Sequence, residues 1–155
     1  MVEAYRRLAN NMPDNGLQVV MFTHQDASVW ADLALILWAA GLSVSAAWTV
    51  ATETDAAGLK QGNYVQGTVL LTLRKQTSDE VGFLDEITHD IKPEVERQIE
   101  SMLALDDKDD PNFSDADYQL AAYAAALRVL TQYKRIEDID IERELTRERA
   151  KNEEP

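Results

Sequence analysis

The segment from Leu17 to Lys75 constrains the fold most, because three strand-length apolar runs and one long apolar helix follow each other there. Leu17-Gln18-Val19-Val20-Met21-Phe22 is nearly continuous in apolar character. Such a run predicts a strand buried on both faces, as in a parallel sheet. Thr23-His24-Gln25-Asp26 leaves it, and Asp26 or Ser28 can cap the helix predicted over residues 27–40. Val29, Trp30, Leu33, Ile36 and Leu37 form a broad stripe on that helix, suited to lie on a sheet. Leu35 and Trp38 fall outside the stripe and need a second cover, from the C-terminal helices or another subunit. Gly41 follows as a left-handed helix terminator.

Residues 42–50 alternate as a second strand, residues 51–66 read as a polar loop, and residues 68–74 as a third strand. The first connection suits a parallel crossover, whereas the long return to the third strand lets it run antiparallel. Ahead of this unit a short helix is expected over 2–12, stopped by Pro13-Asp14-Asn15-Gly16. Behind it the pattern is helical, with helices expected near 79–89, 92–104, 114–133 and 139–150. Pro93 then sits in the first turn of its helix, and residues 151–155 form a frayed tail. The fold class is α/β, with residues 1–78 as a Rossmann-like unit and 79–150 as an acidic helical region packed on it.

Charge divides the chain in the same place. Residues 1–78 hold five basic and six acidic side chains, whereas residues 79–155 hold ten basic and twenty-two acidic ones. Phosphate binding needs clustered Lys and Arg, so the acidic half argues against a DNA grip by this segment alone. No cysteine is present, which excludes disulfides, thiol nucleophiles and cysteine-ligated zinc. The N-terminus lacks the layout of a secretory signal, and the apolar run 29–42 is too short to cross a bilayer. A cytoplasmic protein with no membrane partner is expected.

Few residues qualify for chemistry. In open α/β sheets ligands collect beyond the carboxyl ends of the strands, which singles out His24 after the first strand. Trp48, Thr52 and Glu53, at the end of the second strand, are expected to line the same cleft. Trp48 can equally be core. Gly58, Gly62 and Gly67 lie between two strands with no helix after them, so they read as turn formers and not as a cofactor loop. The four prolines are never adjacent, so the Pro-Pro motif of amino-methyltransferases is absent. Asp106, Asp107, Asp109 and Asp110 lack the glycine and final glutamate of a calcium loop, and His24 and His89 fit no metal pattern. No metal site and no catalytic residue is assigned.

Several phrases nevertheless resemble a known family. They are Val20-Met21-Phe22-Thr23-His24-Gln25-Asp26, Trp30-Ala31-Asp32-Leu33, Ala47-Trp48-Thr49-Val50-Ala51-Thr52-Glu53 and residues 67–75. Phe113-Ser114-Asp115-Ala116-Asp117-Tyr118, residues 126–130 and Tyr133-Lys134-Arg135-Ile136 extend the likeness over residues 4–147. The chain resembles the C-terminal part of a family of adenine-specific DNA methylases, some of them found in phage-defence gene clusters. The resemblance implies a partial class I methyltransferase fold with a three-stranded mixed sheet. The three strands would be that fold's fifth, sixth and seventh, with the seventh antiparallel between the other two.

It also implies S-adenosylmethionine for the full-length family, with the cofactor loop and Pro-Pro motif upstream of this segment. The chain alone is expected to bind no cofactor and to be inactive. DNA is a partner only of a complete enzyme. A first strand without its upstream neighbour has an exposed edge, expected to be covered by the N-terminal helix, a second copy of the chain or the missing methylase half. The alternative is a non-enzymatic acidic module that kept the fold and contacts a basic partner.

Overall fold

The computed structural model describes residues 1–52, 67–106 and 112–146. Its elements are α1 (Val2–Asn10), β1 (Gln18–Phe22), α2 (Ala27–Ala39), β2 (Leu42–Ala51), β3 (Gly67–Lys75), β4 (Val81–Gly82), α3 (Leu84–Leu105), α4 (Asp115–Leu130), β5 (Arg135–Ile136) and α5 (Ile141–Thr146). The broad expectation, a mixed α/β chain with a three-stranded sheet and a helical C-terminal region, holds. Gly58, Gly62, three of the four aspartates of the 106–110 cluster and the C-terminal tail lie outside the described residues.

The main sheet has the order β1-β3-β2. β3 is antiparallel to both neighbours, pairing Val20 with Leu71 on one side and Ala47 with Leu71 on the other. β1 and β2 therefore point the same way without touching, and the long return does reverse the chain. The expected mixed ladder is corrected, because both hydrogen-bonded pairings in this sheet are antiparallel. A register shift between Val44 and Ala46 leaves Ser45 as a bulge in β2.

Helices α2 and α4 cover one face of the sheet. Their Trp30, Leu33, Leu37, Leu120 and Leu127 share a core with Val44, Val69, Leu71 and Leu73. Each such side chain contributes about 1.5–3 kcal/mol through removal from water. Asp26 caps α2 by accepting the Ser28 backbone N–H at 2.8 Å, and Gly41 takes φ +77° just beyond its end. Both features follow the sequence reading. Trp38 has its second cover within the chain: it packs with Ile87, Val129 and Ile136, and its Nε1–H donates to the Tyr133 carbonyl at 2.7 Å.

Two further expectations are corrected. β1 is not buried on both faces: its exposure alternates, and Val19 and Met21 are 57% and 64% exposed. A nearly continuous apolar run predicts two-sided burial, but the described helices pack on one side only. The helices expected near 79–89 and 92–104 are one, α3, with Pro93 inside it. Pro93 faces solvent, where water can serve the His89 carbonyl that loses its helical donor, and packing of α3 on α4 sustains the rest. Finally, β4 and β5 form a two-stranded parallel ribbon that no periodicity announced. Two-residue strands are too short to carry one.

Candidate functional site

Because β1 and β2 run the same way, their carboxyl ends meet at one end of the sheet, beside the start of β3. His24 lies two residues past β1, Thr52 one residue past β2, and Gly67 opposite Ala51 in the ladder. Thr23 Oγ1 bridges to Thr68 Oγ1 at 3.2 Å, closing β1 onto β3 there. The sequence thus brings His24 and Thr52 to the same rim, separated by the width of β3, about 10 Å for two strand spacings. Both are exposed. Glu53, expected beside them, lies outside the described residues.

The His24 turn is locally specified. Its Nδ1 accepts the Asp26 backbone N–H at 3.0 Å, so the neutral imidazole carries its proton on Nε2. Its carbonyl accepts Trp30 Nε1–H at 2.7 Å. Trp30 in turn packs edge-on against Phe22, ring centroids 4.8 Å apart. A buried indole therefore anchors the rim histidine through its backbone and leaves the ring edge in solvent.

Trp48 is not at the rim. It stands within β2 on the sheet face opposite the helices, 57% exposed, and shares one cross-strand row with Leu70 and Met21. Val19 and Val50 lie on the same face, 57% and 40% exposed. This apolar face, open among the described residues, is absent from the site expected from sequence. The alternation of the β1 residues held the signal, but their uniform apolarity hid which side was covered.

The two outer edges of the sheet differ sharply. Along β2, the Val44 N–H donates to Thr131 Oγ1 at 2.8 Å, Arg128 Nε donates to the Ser45 carbonyl at 3.0 Å, and Gln98 Nε2 donates to the Ala47 carbonyl at 3.1 Å. Arg128 is itself paired with Glu94 of α3. Side chains of α3 and α4 thus occupy that edge. Along β1, among the described residues, no main-chain bond from Gln18–Phe22 goes anywhere but to β3. Between β1 and α1 runs an open groove of ≈ 670 Å³, with Tyr5, Leu8, Leu17 and Val19 in its walls. The helix expected to cover the edge stands beside it and packs on α2. The Gln18 Nε2 atom beside this edge is buried without an acceptor.

Asp117 escaped the sequence reading as a site-shaping residue. It is fully buried, and its carboxylate accepts the Gly67 N–H at 2.8 Å while closing a capping box with Ser114. The Ser114-x-x-Asp117 spacing before an apolar run was the available signal. Among the described residues no group of three His, Asp or Glu side chains is placed to hold a metal ion. No described helix is long and apolar enough to cross a membrane.

The turn from β1 into α2 contains no glycine, and the Ser28 N–H at the helix start is already taken by Asp26. Compared with protein-family models, curated proteins and solved structures, the chain has no match.

Proposed function

We propose that this chain is the C-terminal sheet unit of an adenine-specific DNA methyltransferase and works only together with a cofactor-binding segment aligned along β1. The observation that carries the reading is the strand order β1-β3-β2, with β3 antiparallel to both neighbours. The family resemblance implies that order for the fifth, seventh and sixth strands of a class I sheet. In such a sheet the sixth strand is terminal and the fifth continues into the cofactor half. The closed β2 edge and the open β1 edge agree with those two positions.

In this reading His24 and Thr52 border the cleft of the assembled protein, and the Nε2–H of His24 is available to donate a hydrogen bond there. Glu53 belongs to the same rim by sequence. The chain supplies no cofactor turn and no Pro-Pro motif, so methyl transfer is not a property of these residues alone. Titration calorimetry with S-adenosylmethionine tests this. The isolated chain gives no binding heat, whereas tight stoichiometric binding would overturn the reading.

A further inference from the structure

The contrast between the two sheet edges says what can extend this sheet. β2 cannot accept another strand without displacing Thr131, Arg128 and Gln98, so a copy of the chain cannot add head to tail from β1 to β2. That removes the open-ended arrangement that makes fibres. What remains is β1 against β1, which is self-complementary about a two-fold axis and closes at two subunits.

We infer that the isolated chain forms a two-fold dimer by antiparallel pairing of β1 with β1 of a second copy, making a six-stranded sheet. β1 spans Gln18–Phe22, so full overlap places the axis at Val20 and sets Val19 of one copy opposite Met21 of the other. Three observations favour a second copy as the occupant. First, among the described residues the edge main-chain groups of β1 have no partner, and an extended strand satisfies such groups along their length. Second, residues 17–22 carry no charge, so β1 has nothing that opposes its own approach. Third, among the described residues the acidic helix α3, with six carboxylates against Lys92 and Arg97, and helix α4 lie on the β2 side, where Gln98 and Arg128 meet that strand. A dimer through β1 keeps these acidic regions at its two far ends, despite a net charge of −13 per chain. The groove beside α1 gives the incoming strand room, with Leu8 and Leu17 exposed on its walls.

This inference stands on the edge geometry and not on the functional reading, so a failed cofactor titration and a failed dimer test are separate results. Sedimentation velocity on the full chain at micromolar concentration measures it. Wild type sediments at twice 17.4 kDa. The V19K/M21K variant sets Lys opposite Lys across the axis and sediments as a monomer. The V19K/M21E variant sets Lys opposite Glu and returns to the dimer. Both side chains already lie in solvent, and the Lys/Glu variant controls for folding. A monomeric wild type, a Lys/Lys variant that stays dimeric, or a Lys/Glu variant that stays monomeric would each overturn the inference.

Discussion

Asp117 in the first turn of α4 accepts the backbone N–H of Gly67, the first residue of β3, at 2.8 Å in a fully buried position. One carboxylate thereby fixes both the start of a helix and the start of the central strand, since its other oxygen accepts from Ser114 N and Oγ at 2.8 and 2.7 Å. Asp117→Ala removes the acceptor of the buried Gly67 N–H and of the half-buried Ser114 N–H and hydroxyl. The expected loss is about 2–4 kcal/mol, from hydrogen bonds to a charged group and buried donors left unmade. Urea unfolding measures it.

Gly67 is tied to the same contact. A Cβ there would stand 3.0 Å from the Val50 carbonyl oxygen and 3.1 Å from Asp117 Oδ1. Gly67→Ala is expected to destabilise by about 1–3 kcal/mol, the usual cost of overpacking. A variant with unchanged thermal stability would show that β3 can shift away from α4.

Glu94 gives a pH prediction. Its hydrogen bond with Arg97 holds its carboxyl below the usual range, against the opposing effect of burial, with Arg128 adding to the lowering. A depressed carboxylate contributes stability above its unfolded value, lost as pH falls through the folded one. Glu94→Gln is therefore less stable than wild type at pH 7 by about 1 kcal/mol, and the gap narrows on acidification below pH ~4. Thermal melts across that range report it.

Tyr118 behaves oppositely. Burial, then its hydrogen bond to Asp106, pushes its phenol up from 10.0 to about 12. The folded state keeps a proton that the unfolded chain releases, so this contribution is present below pH 10 and is lost as pH rises towards 12. In Tyr118→Phe the stability decline over that interval is shallower, as alkaline melts will show.

Among the three tryptophans, Trp30 and Trp38 are 1% and 7% exposed, whereas Trp48 is 57% exposed. Trp48→Phe is expected to remove the red-shifted, acrylamide-quenchable part of the emission while changing stability by under about 0.5 kcal/mol, as surface changes do. Loss of a protected component instead would place Trp48 in a covered interface.

The strands, the capped helix α2, the left-handed Gly41 and the reversal into β3 were legible because local chemistry determines each. Asp26 and Gly41 act within their own turns, and three strand-length runs admit few sheet orders. What was not legible depends on packing at a distance. Val19 and Met21 look like core residues in sequence, yet no described element packs on their side of the sheet. Pro93 looks like a boundary, yet α3 runs through it because that face is solvated and the opposite face rests on α4. At the rim, strand direction brings His24 and Thr52 to one end of the sheet, whereas Trp48 stands on its face. A residue three positions before the rim alternates onto the face, and the side chosen is set by the helices.

The most direct test of the account is amide hydrogen exchange, comparing wild type with the V19K/M21K variant. The Val44 amide, held by Thr131, is expected to exchange slowly in both. Amides of Gln18–Phe22 that do not pair with β3 are expected to exchange fast in the variant and slowly in wild type. Slow exchange along all of β1 in a monomeric chain would contradict the account, because it would mean that the edge is already covered from within.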